Sequence, residues 1–181
     1  MQLIGNRVSI VKEGNVYSVV IMPTDKKWKT GLLFLWLFAW TVCGVIVCTN
    51  YFTLSNEKAK VILIVYMAFW AYFEYKIGKA FWFRRYGKEK LWIKNRTLFY
   101  KRETNKRGKT KEYDVDLVND VKIIDHNRGN FFVQMQESFW VIGGERLSFK
   151  HGGKEILFGI QLNDEDTEKL HKEIKKYLGK I

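Results

Sequence analysis

No charged side chain occurs between residues 30 and 56, and residues 31–47 are apolar apart from Thr41. A helix that is apolar all round needs either a large protein core or lipid around it. At a rise of ~1.5 Å per residue, about 20 residues cross the ~30 Å hydrocarbon layer. A second run, residues 61–73, is also uncharged, and its apolar character continues to Phe83, broken only by Glu74, Lys76 and Lys79. The two runs predict helices over about 29–50 and 61–83, forming a two-helix transmembrane hairpin at 28–83. The link at 51–60 is short and polar, enough to turn the chain and too short for a domain. Some 27 residues precede the first run and carry strand patterning, so a retained helix is expected rather than a cleaved signal.

Charge is distributed unevenly along the chain. The formal net charge is +12, yet residues 84–111 alone hold twelve Lys/Arg against Glu89 and Glu103. A basic block next to a membrane helix faces anionic headgroups, where each Lys or Arg contributes ~1 kcal/mol. Membrane-surface electrostatics is therefore expected, and a nucleic-acid partner is not. The same count orients the hairpin: Arg7, Lys12, Lys26, Lys27 and Lys29 precede it, only Lys58 and Lys60 lie in the link, and the block follows. Both termini are expected on the cytoplasmic side. Trp28 suits the headgroup level, and Gly44 is a place where a neighbouring helix can approach. Glu74 reads either as an intramembrane functional carboxylate or, more simply, as one of three charges snorkelling with Lys76 and Lys79 among Tyr72, Tyr75 and Trp82. Cys43 and Cys48, both in the first run, lie on different helix faces and read as small apolar residues.

The flanks are strand-like. Residues 1–24 form an N-terminal β-hairpin, with β-branched residues around a turn at Glu13-Gly14-Asn15 and Pro23 ending it. It is expected to pack near the C-terminal domain, since both emerge on one side. Beyond residue 88 the pattern alternates with period two. Strands are expected at 90–94, 97–103, 110–117, 120–125, 131–136, 139–142, 146–150 and 154–160. Turns fall at Asn95-Arg96, at a basic loop 104–109, at residues 127–130, and at Gly143-Gly144 and Gly152-Gly153. A C-terminal helix follows, capped by Asn163, with Asp164, Glu165 and Asp166 in its first turn and Lys175, Lys176 and Lys180 in its last. Leu170, Ile174, Tyr177 and Leu178 form its apolar stripe. The fold class is a membrane α-helical hairpin plus a mainly-β domain of about seven antiparallel strands, bent and capped by a helix, over 88–181. Its expected core is Leu91, Ile93, Leu98, Val115, Ile123, Phe149 and Leu157.

Two membrane helices that run into Tyr86-Gly87-Lys88-Glu89-Lys90-Leu91 carry a resemblance. A hairpin at Asn95, the strand Glu112-Tyr113-Asp114 and a late Lys154-Glu155-Ile156-Leu157-Phe158-Gly159 before an Asn/Asp-capped helix extend it. From about residue 5 onward the chain resembles the bacterial pleckstrin-homology-like membrane proteins with two N-terminal transmembrane helices. The architecture is also similar to the photosystem I assembly protein family of plastids and cyanobacteria. The resemblance implies a split-barrel β-domain with a capping helix in a bacterial inner membrane, used for lipid contact, protein docking or complex assembly and not for catalysis. Phosphoinositide-binding members place basic residues after the first strand; here the basic loop follows the second, which argues against inositol-phosphate recognition.

The residues themselves offer no catalytic constellation. His126, His151 and His171 lack metal-ligand spacing, and Ser138 and Ser148 lack a nucleophile elbow. Asp114 and Asp116 fit an exposed strand face. No enzyme activity, metal or cofactor is expected. The expected contacts with an anionic surface or ligand are Arg84, Arg85, Lys88, Lys101, Arg102, Lys106, Arg107, Lys109 and Lys111. The expected partners are the phospholipid bilayer and either a protein partner or further copies of the chain. A membrane sensor-effector, with a small anionic ligand inside the β-domain and oligomerising helices, is the competing reading; inward-pointing Lys/Arg around a cavity would favour it. Alkaline carbonate washing tests the hairpin: the chain should stay with the membrane pellet and need detergent for release, and release by carbonate alone would exclude a spanning hairpin.

Overall fold

The computed structural model describes residues 1–23, 27–124 and 143–179, without the side chains of Lys27 and Lys29. Three strands come first: β1 (Gln2–Ile4), β2 (Val8–Glu13) and β3 (Val16–Ile21). Helices α1 (Lys27–Asn50) and α2 (Glu57–Tyr86) follow, then β4 (Gly87–Lys94), β5 (Thr97–Thr104) and β6 (Thr110–Asp114). A 3-10 turn at Val115–Leu117 leads to β7 (Val118–Ile123), and β8 (Glu145–His151), β9 (Lys154–Ile160) and helix α3 (Asp164–Leu178) complete the chain. The strands expected at 131–136 and 139–142, the turn at 127–130, His126 and Ser138 lie outside the described residues.

β1 to β6 form one antiparallel sheet in sequence order, and β7, β8 and β9 form a second. The helical hairpin is an insertion in the first sheet, because β3 pairs directly with β4 across it, Ile21 opposite Glu89 and Tyr17 opposite Ile93. The N-terminal hairpin, expected only to pack nearby, thus shares hydrogen bonds with the C-terminal strands. Turn chemistry sets the registers. Asn95 and Arg96 are both left-handed, φ 51° and 58°, which closes the β4–β5 hairpin in two residues. The segment expected as one strand over 110–117 breaks at Asp114, whose carboxylate accepts a hydrogen bond from the Asp116 backbone N–H (3.0 Å) and caps the 3-10 turn.

Alternation turns one face of each strand inward. Val8, Ile10, Tyr17, Val19, Leu91, Ile93 and Leu98 meet Leu147, Phe149 and Phe158 of the second sheet. Helix α3 covers the open side with Leu170 and Ile174, and Tyr177 stacks on Tyr17 at 4.2 Å. Asn163 caps α3 by accepting from the Asp166 N–H. Ile123 and Leu157, expected in this core, are exposed: both fall on outward positions near the rim of the smaller sheet, which has only three strands.

α1 and α2 are each long and apolar enough to cross a membrane. Most of their described large apolar side chains face outward, and Leu33, Ile77 and Phe81 form a small buried cluster between them with Trp36 and Leu37 against it. Gly44 lies against the indole of Trp70; a Cβ there would sit 2.1 Å from the ring, so only glycine allows this approach. Glu74 does not snorkel. It turns toward α1, where Oε1 accepts from the Thr41 hydroxyl at 2.6 Å. Where no water reaches, an inter-helix hydrogen bond gives a polar atom a partner that lipid cannot, and here it serves one of the two carboxylate oxygens.

One carboxylate joins the two sheets. Glu89, 2% exposed, accepts from the Tyr100 hydroxyl (2.6 Å), from Arg102 Nε and Nη2 (3.2 and 2.9 Å), and from the backbone N–H groups of Gly159 and Ile160 (2.8 and 2.9 Å). Replacing it by alanine removes a hydrogen-bonded ion pair and leaves Arg102 to Glu145 alone. Glu89→Ala should cost on the order of 3–5 kcal/mol, read as a lowered thermal midpoint in detergent, with Glu89→Gln losing less. An unchanged midpoint for Glu89→Ala would show that the sheets are held by apolar packing alone.

Candidate functional site: a basic and aromatic junction beneath the helices

α2 passes into β4 with no intervening loop. Gly87 caps the helix, its N–H returning to the Phe83 carbonyl, and a Cβ at Gly87 would lie 2.3 Å from that oxygen and 2.5 Å from the Phe83 ring. The chain direction is therefore fixed where helix becomes strand. Arg84, the last buried residue of α2, reaches across and donates from Nη1 to the Gln161 side-chain oxygen at 3.3 Å. Arg7 ties the same corner: Nη1 and Nη2 donate to the carbonyls of Gln161 (2.5 Å) and Ile160 (2.9 Å), and Nε to that of Met22 (3.2 Å).

β5 returns antiparallel, so Gly87 faces Thr104 and the turn beyond Thr104 lies level with the end of α2. That turn is compact. Thr104 and Arg107 exchange backbone hydrogen bonds of 2.8 and 3.0 Å, with Asn105 and Lys106 left-handed at φ 50° and 66°. Lys106, Arg107 and Lys109 are exposed there. The expected basic loop thus sits beside the helices as an ordered hairpin.

The nine basic residues singled out in the sequence separate into groups. Arg85, Lys88 and Lys106 line one cleft of about 370 Å³ together with Tyr86, Glu103 and Asn105. Arg84 and Arg85 line a second of about 1040 Å³. Lys101 is drawn to Glu103 (3.1 Å) and the Lys106 carbonyl (3.3 Å). Lys111 pairs opposite Tyr100, on the other face of the sheet from Lys101. Arg102 is a correction: strand parity puts it on the inward face with Leu98 and Tyr100, and its guanidinium is committed to Glu89 and Glu145 at 2.9 and 3.1 Å. Burial alone lowers an arginine pKa, but the Glu89 carboxylate outweighs it and raises that of Arg102. Burial likewise pushes the Tyr100 hydroxyl up, helped by the Glu89 charge.

The larger cleft contains residues that the sequence reading did not assign to a site. Phe34 of α1 and Phe81 and Trp82 of α2 supply apolar walls, while Asn6, Met22 and Pro23 close it from the strand side. Phe81, Trp82, Arg85 and Tyr86 fall within two turns of one helix, and that spacing was the available signal. Trp82 stacks on Tyr86 at 5.3 Å, and the Arg85 guanidinium lies 5.4 Å from the Tyr86 ring centre.

Asp116 and His171, both weighed for catalysis, have structural partners. Asp116 pairs with Arg96 at 2.5 Å, and His171 Nε2 is 2.9 Å from the Val121 carbonyl. Among the described residues no group of three His, Cys, Asp or Glu is placed to hold a metal ion. No protein-family model, curated protein or solved structure matches the chain.

Glu103 gives this region its acid response. Burial raises its carboxyl pKa, but hydrogen bonds from Lys90 (2.6 Å) and Lys101 (3.1 Å) outweigh that and hold it below the ordinary glutamate value. A folded value below the unfolded one contributes stability above about pH 4.3. That contribution is lost as pH falls through the folded value. The thermal midpoint should drop with acidification below pH 4, and Glu103→Gln should flatten that drop; identical acid profiles would remove Glu103 from the account.

Proposed function

We propose that this chain is a non-enzymatic, two-helix membrane protein whose pleckstrin-homology-like β-domain is held against an anionic lipid surface, both termini on the cytoplasmic side of a bacterial inner membrane. The observation that carries the reading is the pairing of Gly87 with Thr104. It brings the turn bearing Lys106, Arg107 and Lys109 to the level at which α2 ends, where headgroups begin if the hairpin spans. Their charge then needs no specific pocket to act, since each is worth ~1 kcal/mol near an anionic leaflet. The two antiparallel sheets with a capping C-terminal helix support the pleckstrin-homology-like assignment.

The filled interior favours surface contact over a ligand-lined barrel. Leu91, Ile93, Leu98, Val115 and Phe149 are buried, and Arg102, the inward arginine of β5, is neutralised. Protein docking is the second reading. It is favoured by Trp92 and Phe99, stacked at 5.2 Å and half-buried on the outer face of the larger sheet.

Amine acylation of the full chain in nanodiscs tests the lipid reading. Lys88, Lys106 and Lys109 should react several-fold more slowly in discs containing phosphatidylglycerol than in pure phosphatidylcholine, and high salt should remove the difference. Lys154 serves as reference, since β9 carries it ~20 Å from the helix end of the sheet. Equal protection of all four lysines in both discs would overturn the proposal.

A further inference from the structure

The larger cleft has a polarity that the surface-contact reading does not use. Along the last two turns of α2 it changes from Phe81 and Trp82 to Arg84 and Arg85, a distance of ~6 Å along the helix axis. On the α1 side Phe34 packs against Phe81 at 5.8 Å, and Gly31 leaves space: nothing lies within 4 Å of where its Cβ would be. The strand side adds Met22 and Pro23 as a roof. Phe34 and Trp82 are each about half exposed, so the apolar part opens sideways to the surroundings of the helices. At about 1040 Å³ the cleft is at the top of the range of small-molecule sites, roughly 300–1,000 Å³.

A water-soluble anion would leave Phe34, Phe81 and Trp82 uncovered. A purely apolar occupant would leave the Arg85 charge without a counterpart. An amphipathic occupant matches both halves in the order the cleft presents them: chain toward the middle of the hairpin, anion toward the β-domain. We infer that this cleft binds one anionic glycerophospholipid, its phosphodiester on Arg85 and the start of an acyl chain between Phe34, Phe81 and Trp82. This rests on the reading that the hairpin spans a bilayer with the β-domain against its surface, and adds a single defined site to that diffuse attraction. The smaller cleft shares Arg85 and Tyr86 and continues toward Lys88 and Lys106, so the rest of the headgroup lies among further cations.

Native mass spectrometry of the detergent-solubilised full chain, offered equimolar dioleoyl phosphatidylglycerol and phosphatidylcholine, tests the site. The wild type should retain one phosphatidylglycerol in preference to phosphatidylcholine. Arg85→Gln, an exposed position, should weaken phosphatidylglycerol retention about tenfold and abolish the preference, as expected for loss of a charge-assisted hydrogen bond. Gly31→Leu, which fills the cleft from a helical position with open space, should reduce retention of both lipids. Unaltered phosphatidylglycerol retention in both variants, equal retention of the two lipids by the wild type, or displacement by glycerol 1-phosphate at the lipid concentration would overturn the inference. Lysine protection in nanodiscs separates the two proposals. If it persists while these variants behave as wild type, the cleft is wrong and surface contact stands. If it is absent while one phosphatidylglycerol is still retained through Arg85, the reverse holds.

Discussion

The carboxylate of Glu89 is where the two sheets and the helical hairpin become one body. It sits three residues beyond the end of α2 and receives five hydrogen bonds, three from side chains of β5 and two from the backbone of β9. A buried charge is tolerated only when it is paired and its lone pairs are filled, and this one meets both conditions. Its partners run outward in order: Tyr100 and Arg102 fix the face of β5, Arg102 continues to Glu145, and Gly159 and Ile160 hold the end of β9. That end is where Gln161 meets Arg7 and Arg84. The basic junction is therefore positioned by a buried network rather than by the exposed side chains that compose it.

Insertion of a helical pair between β3 and β4 is compatible with a continuous sheet because the pair is antiparallel. α1 leaves the sheet and α2 returns beside it, so Ile21 and Glu89 are neighbours although more than sixty residues separate them. Closing a flexible loop of that length carries an entropic cost that grows with its logarithm. A packed hairpin with its ends together avoids much of it. The contacts that hold the pair include Gly44 under Trp70, Thr41 on Glu74, Phe34 on Phe81, and Leu33 with Ile77 and Phe81. Register between the helices and register in the sheet are thereby linked, since Gly87 admits no slack between α2 and β4.

Elements encoded locally were legible in the sequence. The uncharged run 30–56 marks α1, Asn163 with its acidic followers marks the start of α3, and Asn95-Arg96 marks a two-residue turn. What depends on distant partners was not. Nothing in residues 1–24 states that β3 will pair with a strand beyond the two long apolar helices. Arg102 looked like part of a surface patch because eleven other basic residues surround it in sequence, yet alternation from Leu98 through Tyr100 already assigned it to the core face. Ile123 and Leu157 are the converse case, apolar yet exposed, because a three-stranded sheet leaves its rim open. The partner of Glu74, Thr41, is uncharged and lies on the other helix, so nothing in the sequence around Glu74 marks the pairing.

The same parity that hides Arg102 explains how one basic segment serves two purposes. In β4 and β5 the inward positions hold Glu89, Tyr100 and Arg102, whereas the outward ones hold Lys88, Lys90, Lys101 and Glu103. Glu103 is nearly buried beneath Lys90 and Lys101, so it neutralises part of the outer face without facing solvent itself. Residues 105–111 contain no acidic side chain, and Lys106, Arg107 and Lys109 are exposed in that stretch. The segment therefore becomes more cationic toward the helices and more compensated away from them. On the proposed reading that gradient draws the turn toward an anionic surface, and the α2–β4 junction holds the turn level with the end of α2.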